Sequence, residues 1–253
     1  MIWVVIESLI ILCCYASAWF VISILIKRND FADIAWGLGY ILLCAYHFMT
    51  KTTHPIGVIC YLLVLIWGLR LSVFLFLRNM NKSEDFRYLK WRNEWGKAFY
   101  VRSFLQVYLL QALFLLFIIS PVLYVASFSE SQWSAYTIVG AMIWLFGFYW
   151  QSLADHQLRQ FIKRRKSKEE VLQTGLWKYS RHPNYFGEVT MWWGIYLIVW
   201  PLPGSLPFIL GPLTITLLIR YVSGVPMLER RYIDNRNYQE YRRKVPALMP
   251  RVF

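Results

Sequence analysis

The amino-acid sequence predicts an all-α integral membrane protein with about seven membrane-spanning helices. Hydrophobic residues make up 58% of the 253 residues and aromatic residues 19%, with a mean hydropathy of +0.40. An ordinary soluble domain is less apolar than this. Apolar runs close to the roughly 20 residues that a helix needs to cross a bilayer recur along the chain. We expect one membrane domain over residues 1–253, because no segment outside these runs could bury a core of its own.

The spans follow the apolar runs, and their ends are expected to be accurate only to within several residues. The predicted spans are residues 2–26, 31–50, 55–77, 103–128, 134–155, 188–202 and 206–225. The last three fall in a C-terminal half, from about residue 134 to residue 253, that also carries the most polar short segment of the chain.

The net charge of +13 is explained by membrane topology rather than by a nucleic-acid partner. Nearly all Lys and Arg residues lie in the connections after spans one, three and five and in the C-terminal tail. The second connection contains only Lys51, and the fourth and sixth contain no cation. This alternation predicts an N-terminus outside and a C-terminus in the cytoplasm.

Neither a metal site nor a cleavable signal peptide is expected. All four cysteines lie within predicted spans, where a small apolar residue packs well, so no disulfide framework or metal-ligand spacing is present in the sequence. No cation precedes the first apolar run, and Lys27 and Arg28 follow it, which is the reverse of a secretory signal.

Asp33 and the connection after the third span each have two interpretations. Asp33, in the first turn of the second span, is either an interfacial carboxylate favoured by the helix dipole or a polar group that faces a cofactor. The connection after span three contains Asp85, Arg87 and Tyr88, and two Trp residues follow them. It is either an interfacial helix or a wall over a site.

A polar stripe is predicted at the cytoplasmic end of the fifth span. Gln151, Asp155 and Arg159 are spaced four residues apart and therefore share one side of a helix. A helix that leaves the membrane shows a similar pattern, so the stripe alone does not identify a site, but its three residues are candidate cofactor contacts. The basic run at residues 163–166 is expected to contact anionic lipids.

Residues 175–188, Gly-Leu-Trp-Lys-Tyr-Ser-Arg-His-Pro-Asn-Tyr-Phe-Gly-Glu, are the strongest candidate site. Pro183 suits the first position of a helix that becomes the sixth span, and helix N-termini attract anions. Arg181 and His182 stand just before that helix, while Tyr185 lies beside Asn184 and Glu188, which share a face. The pattern predicts a phosphate-bearing or otherwise charged cofactor arriving from the cytoplasm. The alternative is an interfacial turn whose cations contact lipid headgroups.

This stretch, together with the Trp-Trp-Gly that follows at residues 192–194, resembles the C-terminal domain of the steroid 5-alpha-reductase family. It is more similar still to the bacterial membrane branch of unknown function that is grouped with those reductases. The resemblance extends over most of the chain, to residues 33–37, 84–88, the stripe around residue 155, and 238–250.

The resemblance implies a seven-helix enzyme of a bacterial inner membrane that holds NADPH in a cytoplasm-facing cavity. Hydride would pass to a carbon–carbon double bond of a lipid-soluble enone while an acidic group polarises its carbonyl. Asp155, Asn184, Glu188 and Tyr232 match cofactor-contacting positions of the family, and Gln151 stands where the reductases have an asparagine. The family's substrate-binding carboxylate and tyrosine have no counterpart that can be aligned, so the catalytic acid is unassigned and the substrate need not be a steroid.

Two other functions remain open. Isoprenylcysteine carboxyl methyltransferases share a similar Arg-His-Pro motif and bind S-adenosylmethionine. They carry two adjacent glutamates where this chain has Leu228 and Glu229, whereas Glu188 directly after Gly187 is more similar to the reductases. A transporter or scaffold is the third function, but its polar groups would be expected near the bilayer midplane rather than at the ends of spans.

Overall fold

The computed structural model describes residues 1–51, 54–80, 83–128, 133–167 and 169–251, and every regular element within these ranges is a helix. The predicted all-α fold class is therefore confirmed. The chain forms two compact units, one of Met1–Trp133 with Leu202–Phe208 and the other of Ser134–Pro201 with Ile209–Phe253. The second unit contains most of the C-terminal half that carries the candidate site. The single membrane domain stays a prediction.

The first unit contains six α-helices within the described ranges, and a π-helical segment, Phe104–Leu109, connects the last two. They are α1 (Ile2–Leu25), α2 (Phe31–Thr50), α3 (Pro55–Asn79), α4 (Phe86–Trp95), α5 (Phe99–Ser103) and α6 (Leu110–Val125). The second unit is built mainly on two long helices and ends in short ones. Its helices are α7 (Ala135–Arg164), α8 (Pro183–Val199), α9 (Leu210–Leu217), α10 (Val225–Glu229) and α11 (Arg236–Lys244).

In the described ranges, six helical segments are long and apolar enough to cross a membrane. They are Ile2–Leu25, Phe31–Thr50, Pro55–Asn79, Phe86–Val125, Ala135–Arg164 and Leu206–Tyr232. The remaining predicted span, at residues 188–202, corresponds to α8, whose 17 residues are fewer than the roughly 20 that a spanning helix needs. The predicted count of about seven is thus close.

Helix α7 is longer than the span predicted at residues 134–155. It begins with a capping box in which Ser134 and Thr137 each accept a hydrogen bond from the other's backbone N–H. It continues for 30 residues because no Gly or Pro interrupts the polar segment after Asp155. Arg159 therefore lies on the same continuous helix as Gln151.

In the first unit, the Asp33 carboxylate accepts hydrogen bonds from two side chains of α4. Arg87 Nη2 donates to Asp33 Oδ2 at 2.5 Å, and the Tyr88 hydroxyl donates to Asp33 Oδ1 at 2.8 Å. Arg87 also donates to Asp85, 2.9 Å away. Burial alone would raise the pKa of Asp85, but hydrogen bonding to the Arg87 cation keeps it below its ordinary value. These contacts fasten α4 to α2.

A second contact between α4 and the turn after α1 depends on Glu84, whose side chain is only 6% exposed. Its Oε1 atom accepts a hydrogen bond from the Asn29 backbone N–H at 2.6 Å and from Arg92 Nη2 at 3.0 Å. The Asn29 side chain in turn donates to Ser103 at 2.7 Å. One carboxylate thus joins the turn to α4, and Asn29 extends the network to α5.

We predict that Glu84→Gln, just before α4, destabilises the protein, whereas Glu94→Gln within α4 does not. The first change leaves Arg92 and a buried backbone donor with a weaker acceptor, which costs roughly 1–3 kcal/mol. Glu94 is 51% exposed, and an exposed ion pair contributes about 0–1 kcal/mol. The thermal midpoint of the detergent-purified protein measures the difference. Equal midpoints for the two variants would contradict this role of Glu84.

Candidate functional site

Two pairs of glycines let α7 and α8 pack closely. A Cβ atom on Gly140 would lie 2.6 Å from the carbonyl oxygen of Gly194, and one on Gly147 would lie 2.6 Å from that of Gly187. Residues with a Cβ atom essentially never show such distances, so the two backbones need glycine at these positions. The pairing of an early α7 residue with a late α8 residue also shows that the helices run antiparallel.

This register brings four of the predicted site residues together near the N-terminal end of α8. Gln151 Nε2 donates to Glu188 Oε2 at 3.2 Å, and Asn184 Nδ2 donates to Asp155 Oδ1 at 3.1 Å. Gln151, Asp155 and Glu188 are buried, with 3%, 5% and 8% of their surface exposed. Among the described residues, Gln151 Oε1 is buried and has no hydrogen-bond partner. We call these four side chains the polar row.

The segment before α8 docks on α7 through a left-handed turn. Gly175 has a φ of +62°, a conformation that favours glycine, and a Cβ atom there would lie 2.5 Å from the Gln157 side chain. The turn allows the Leu176 N–H to donate to Gln157 Oε1 at 2.9 Å. The Trp177 indole then donates to the Ala154 carbonyl at 3.2 Å. These bonds fix where the motif crosses α7.

The middle of the motif holds the C-terminal segment, which we define as residues 245–251. Hydrogen bonds join it to residues 179–182. They include those from Ser180 Oγ to the Leu248 carbonyl (2.9 Å), from the Arg181 N–H to the Pro246 carbonyl (2.9 Å), from the His182 N–H to the Ala247 carbonyl (3.1 Å), and from the Arg251 N–H to the Tyr179 carbonyl (3.0 Å). The motif is therefore a docking surface for the end of the chain as well as the start of α8.

Arg181 and His182 meet on the same carboxylate oxygen. Arg181 Nε donates to Glu229 Oε1 at 2.8 Å, and His182 Nε2 lies 3.0 Å from that atom. Arg181 Nη1 donates to the backbone carbonyls of Val245 and Arg242, at 2.5 Å and 3.1 Å. The Arg181 and Glu229 side chains are each 9% exposed. This guanidinium is therefore bound to the protein itself on at least two sides.

Burial favours the neutral form of the His182 imidazole. Burial lowers the pKa of its imidazole, although the Glu229 carboxylate beside it acts in the opposite direction. In the neutral form, the ring donates a hydrogen bond from its Nε2–H group to the Glu229 carboxylate. The ring also stacks on Tyr185, with ring centres 5.6 Å apart and planes inclined by 20°. His182 thus connects Glu229 to the first turn of α8.

The remaining predicted site residues lie outside the polar row. Arg159 is exposed on α7, two turns beyond Gln151. Tyr232 stacks on Tyr238, with ring centres 4.8 Å apart, in a cluster next to α11. The sequence predicted both as cofactor contacts, and both stay predictions.

Sequence reasoning missed Glu229 and the C-terminal segment as parts of this site. Glu229 was compared only with the paired glutamates of the methyltransferases. A signal was present, since Glu229 is a carboxylate that directly precedes Arg230 and Arg231 in a strongly basic stretch. A buried guanidinium such as that of Arg181 requires such a partner.

Comparison with known proteins places the chain in a family. The chain belongs to the family described as protein of unknown function (DUF1295), which matches residues 19–245. It is 28% identical over 126 residues to protein-S-isoprenylcysteine O-methyltransferase of Saccharomyces cerevisiae, covering 45% of this chain and 48% of the relative. It is 34% identical over 67 residues to 3-oxo-5-alpha-steroid 4-dehydrogenase 1 of Bos taurus, covering 26% of each chain.

A further relative is the uncharacterized protein C594.04c of Schizosaccharomyces pombe, 26% identical over 155 residues and covering 52% of this chain and 45% of the relative. The chain thus spans less than half the length of each of these three relatives. The predicted membership of a superfamily that contains both reductases and methyltransferases is confirmed. The relatives also support an integral membrane protein.

We predict that Gly147→Ala destabilises the protein, while Gly57→Ala does not. An alanine at position 147 forces α7 away from the Gly187 backbone, which disrupts the polar row. At position 57 in α3, the nearest atom lies 3.5 Å from the new Cβ, an ordinary contact. Alanine there adds helix propensity of up to about 1 kcal/mol. Thermal unfolding of the two variants measures the contrast, and a Gly147→Ala protein as stable as the parent would refute the close packing.

Proposed function

We propose that the protein is an integral-membrane oxidoreductase that uses NADPH to reduce a carbon–carbon double bond of a lipid-soluble substrate. The order of polar groups along α7 carries this proposal. Gln151 and Asp155 are buried acceptors opposite Glu188 and Asn184, and Arg159 is an exposed cation one turn further on. Lys163, also exposed, follows after one more turn. Along one stripe of α7, hydrogen-bond acceptors are thus followed by cations.

These donors and acceptors fit a nicotinamide adenine dinucleotide phosphate such as NADPH. Ribose hydroxyls and the carboxamide bring hydrogen-bond donors, which the carboxylates and amide oxygens of the polar row accept. Gln151 Oε1 is buried without a partner among the described residues, so an acceptor is available in the row. Phosphate groups suit Arg159 and Lys163, since guanidinium and ammonium groups are preferred phosphate ligands.

The proposed roles of the other residues follow from their contacts. Because Arg181 already binds Glu229 and backbone carbonyls, we place it at the edge of the cofactor site, with His182 and Tyr185 supporting the first turn of α8. Tyr232 is proposed as a contact on the side of α11. Bound NADPH would supply the hydride, while the protein would orient it and exclude water. No catalytic acid is assigned.

The substrate and topology are proposed from the same considerations. A steroid-like or other lipid enone would enter from the bilayer, as suits a relative named for a 3-oxo steroid. The cofactor would bind from the cytoplasm, with the N-terminus outside and the C-terminus inside, because the cationic connections follow the positive-inside pattern. A bacterial inner membrane is the proposed location.

The second candidate is a membrane methyltransferase that uses S-adenosylmethionine. One observation favours it: the match to the yeast methyltransferase covers 45% of this chain, against 26% for the bovine reductase. S-adenosylmethionine has no phosphate, so it would not use the cations of α7 as phosphate ligands. The phosphate-bearing cofactor uses the whole stripe, and we therefore propose the reductase.

Ligand-dependent thermal stability is expected to identify the cofactor. A ligand that binds only the folded protein adds about 2.7 kcal/mol of stability at a hundred times its dissociation constant. We expect NADPH to raise the thermal midpoint of the detergent-purified protein and S-adenosylmethionine to leave it unchanged. The NADPH effect should be lost in Asn184→Ala and Glu188→Gln, which remove groups from the polar row.

The matched control is Asn93→Ala, which removes an exposed asparagine of α4 and should keep the full NADPH effect. Stabilisation by S-adenosylmethionine alone would replace the reductase by the methyltransferase. If NADPH stabilises the Asn184→Ala and Glu188→Gln proteins as strongly as the parent, the cofactor binds elsewhere and the polar row is not its site.

A further inference from the structure

Glu229 binds three cationic or proton-donating groups from separate parts of the second unit. Its Oε1 atom accepts from Arg181 and His182, as described above, and its Oε2 atom lies 3.5 Å from Arg242 Nε on α11. Only 9% of the Glu229 side chain is exposed. A carboxylate this buried must be compensated by such partners, so its position is tightly restricted.

Two connections lead from Glu229 to other parts of the site. Through Arg181, it fixes the guanidinium that donates to the carbonyls of Arg242 and Val245, where the C-terminal segment begins. Through His182, it fixes the imidazole that stacks on Tyr185 in the first turn of α8. The acceptor role of Glu229 also sets the tautomer, because the neutral imidazole carries its proton on the nitrogen that faces the carboxylate.

We propose that Glu229 is a positioning residue that holds Arg181 and His182 in place and so aligns the first turn of α8 with the C-terminal segment. This proposal rests on the proposed function where it concerns the cofactor, because Asn184 and Tyr185 belong to that turn. Glu229 acts through His182 and needs no contact with the cofactor. Loss of its charge therefore weakens cofactor binding while the polar row itself keeps all of its side chains.

The test compares Glu229→Gln with Glu240→Gln in the full-length protein. Both changes remove one carboxylate charge from the C-terminal region, but Glu240 is 55% exposed, and its ion-pair partner among the described residues is Arg236, one turn earlier in α11. Hydrogen exchange measures the positioning directly. We expect faster exchange in residues 179–182 and 245–251 for Glu229→Gln, and parent-like exchange for Glu240→Gln.

A double-mutant cycle on NADPH affinity tests whether Glu229 acts through His182. We expect Glu229→Gln and His182→Gln each to weaken binding roughly tenfold, or about 1.4 kcal/mol, and the double variant to weaken it by little more. A general structural role would instead give additive losses, roughly a hundredfold in the double variant. Additive losses would therefore overturn the proposal.

Failure of the proposed function is distinguishable from failure of this inference. If the parent protein binds no NADPH, the reductase is wrong, and hydrogen exchange alone decides the role of Glu229. Faster exchange confined to residues 179–182 and 245–251 then supports positioning. Exchange in Glu229→Gln that matches Glu240→Gln overturns it, whichever cofactor the protein binds.

Discussion

The site of the second unit depends on the close approach of α7 and α8 at two pairs of glycines. Between apolar helices in a lipid environment, burial from water provides little attraction, so small residues that let backbones touch become the main source of specific packing. Gly140, Gly147, Gly187 and Gly194 provide this contact. Because the glycine contacts fix the register, they also decide which polar side chains of one helix face those of the other.

Close packing makes the polar row both costly and informative. A polar group buried in apolar surroundings is tolerated when it is hydrogen-bonded, and each amide of the row meets a carboxylate on the opposite helix. The Oε1 atom of Gln151 is an exception, because it is buried and accepts no hydrogen bond from the described residues. A row with a buried acceptor that has no partner among the described residues is well suited to a ligand that brings hydrogen-bond donors.

The sequence predicted the features that depend on local pattern. Composition and the length of the apolar runs gave the all-α membrane fold, the spacing of Gln151 and Asp155 gave their shared face, and Pro183 marked the start of α8. It did not predict the pairing of those faces, because the register between helices depends on contacts between distant glycines. The partners of Arg181 were missed for the same reason, since Glu229 is 48 residues away. The motif looked like a ligand-binding turn because its long-range partners were unknown.

These contacts divide the motif into two parts with different tasks. Residues 179–182 hold the C-terminal segment and Glu229, so they serve the architecture of the unit. Asn184 and Glu188 face α7 and form part of the polar row. This division separates the Arg-His-Pro core of the motif, which lies mostly in the architectural part, from the residues that face α7. The residues that determine the type of reaction are therefore expected in the α8 part of the motif and in the α7 side chains opposite it. On α7, hydrogen-bond acceptors are followed there by cations.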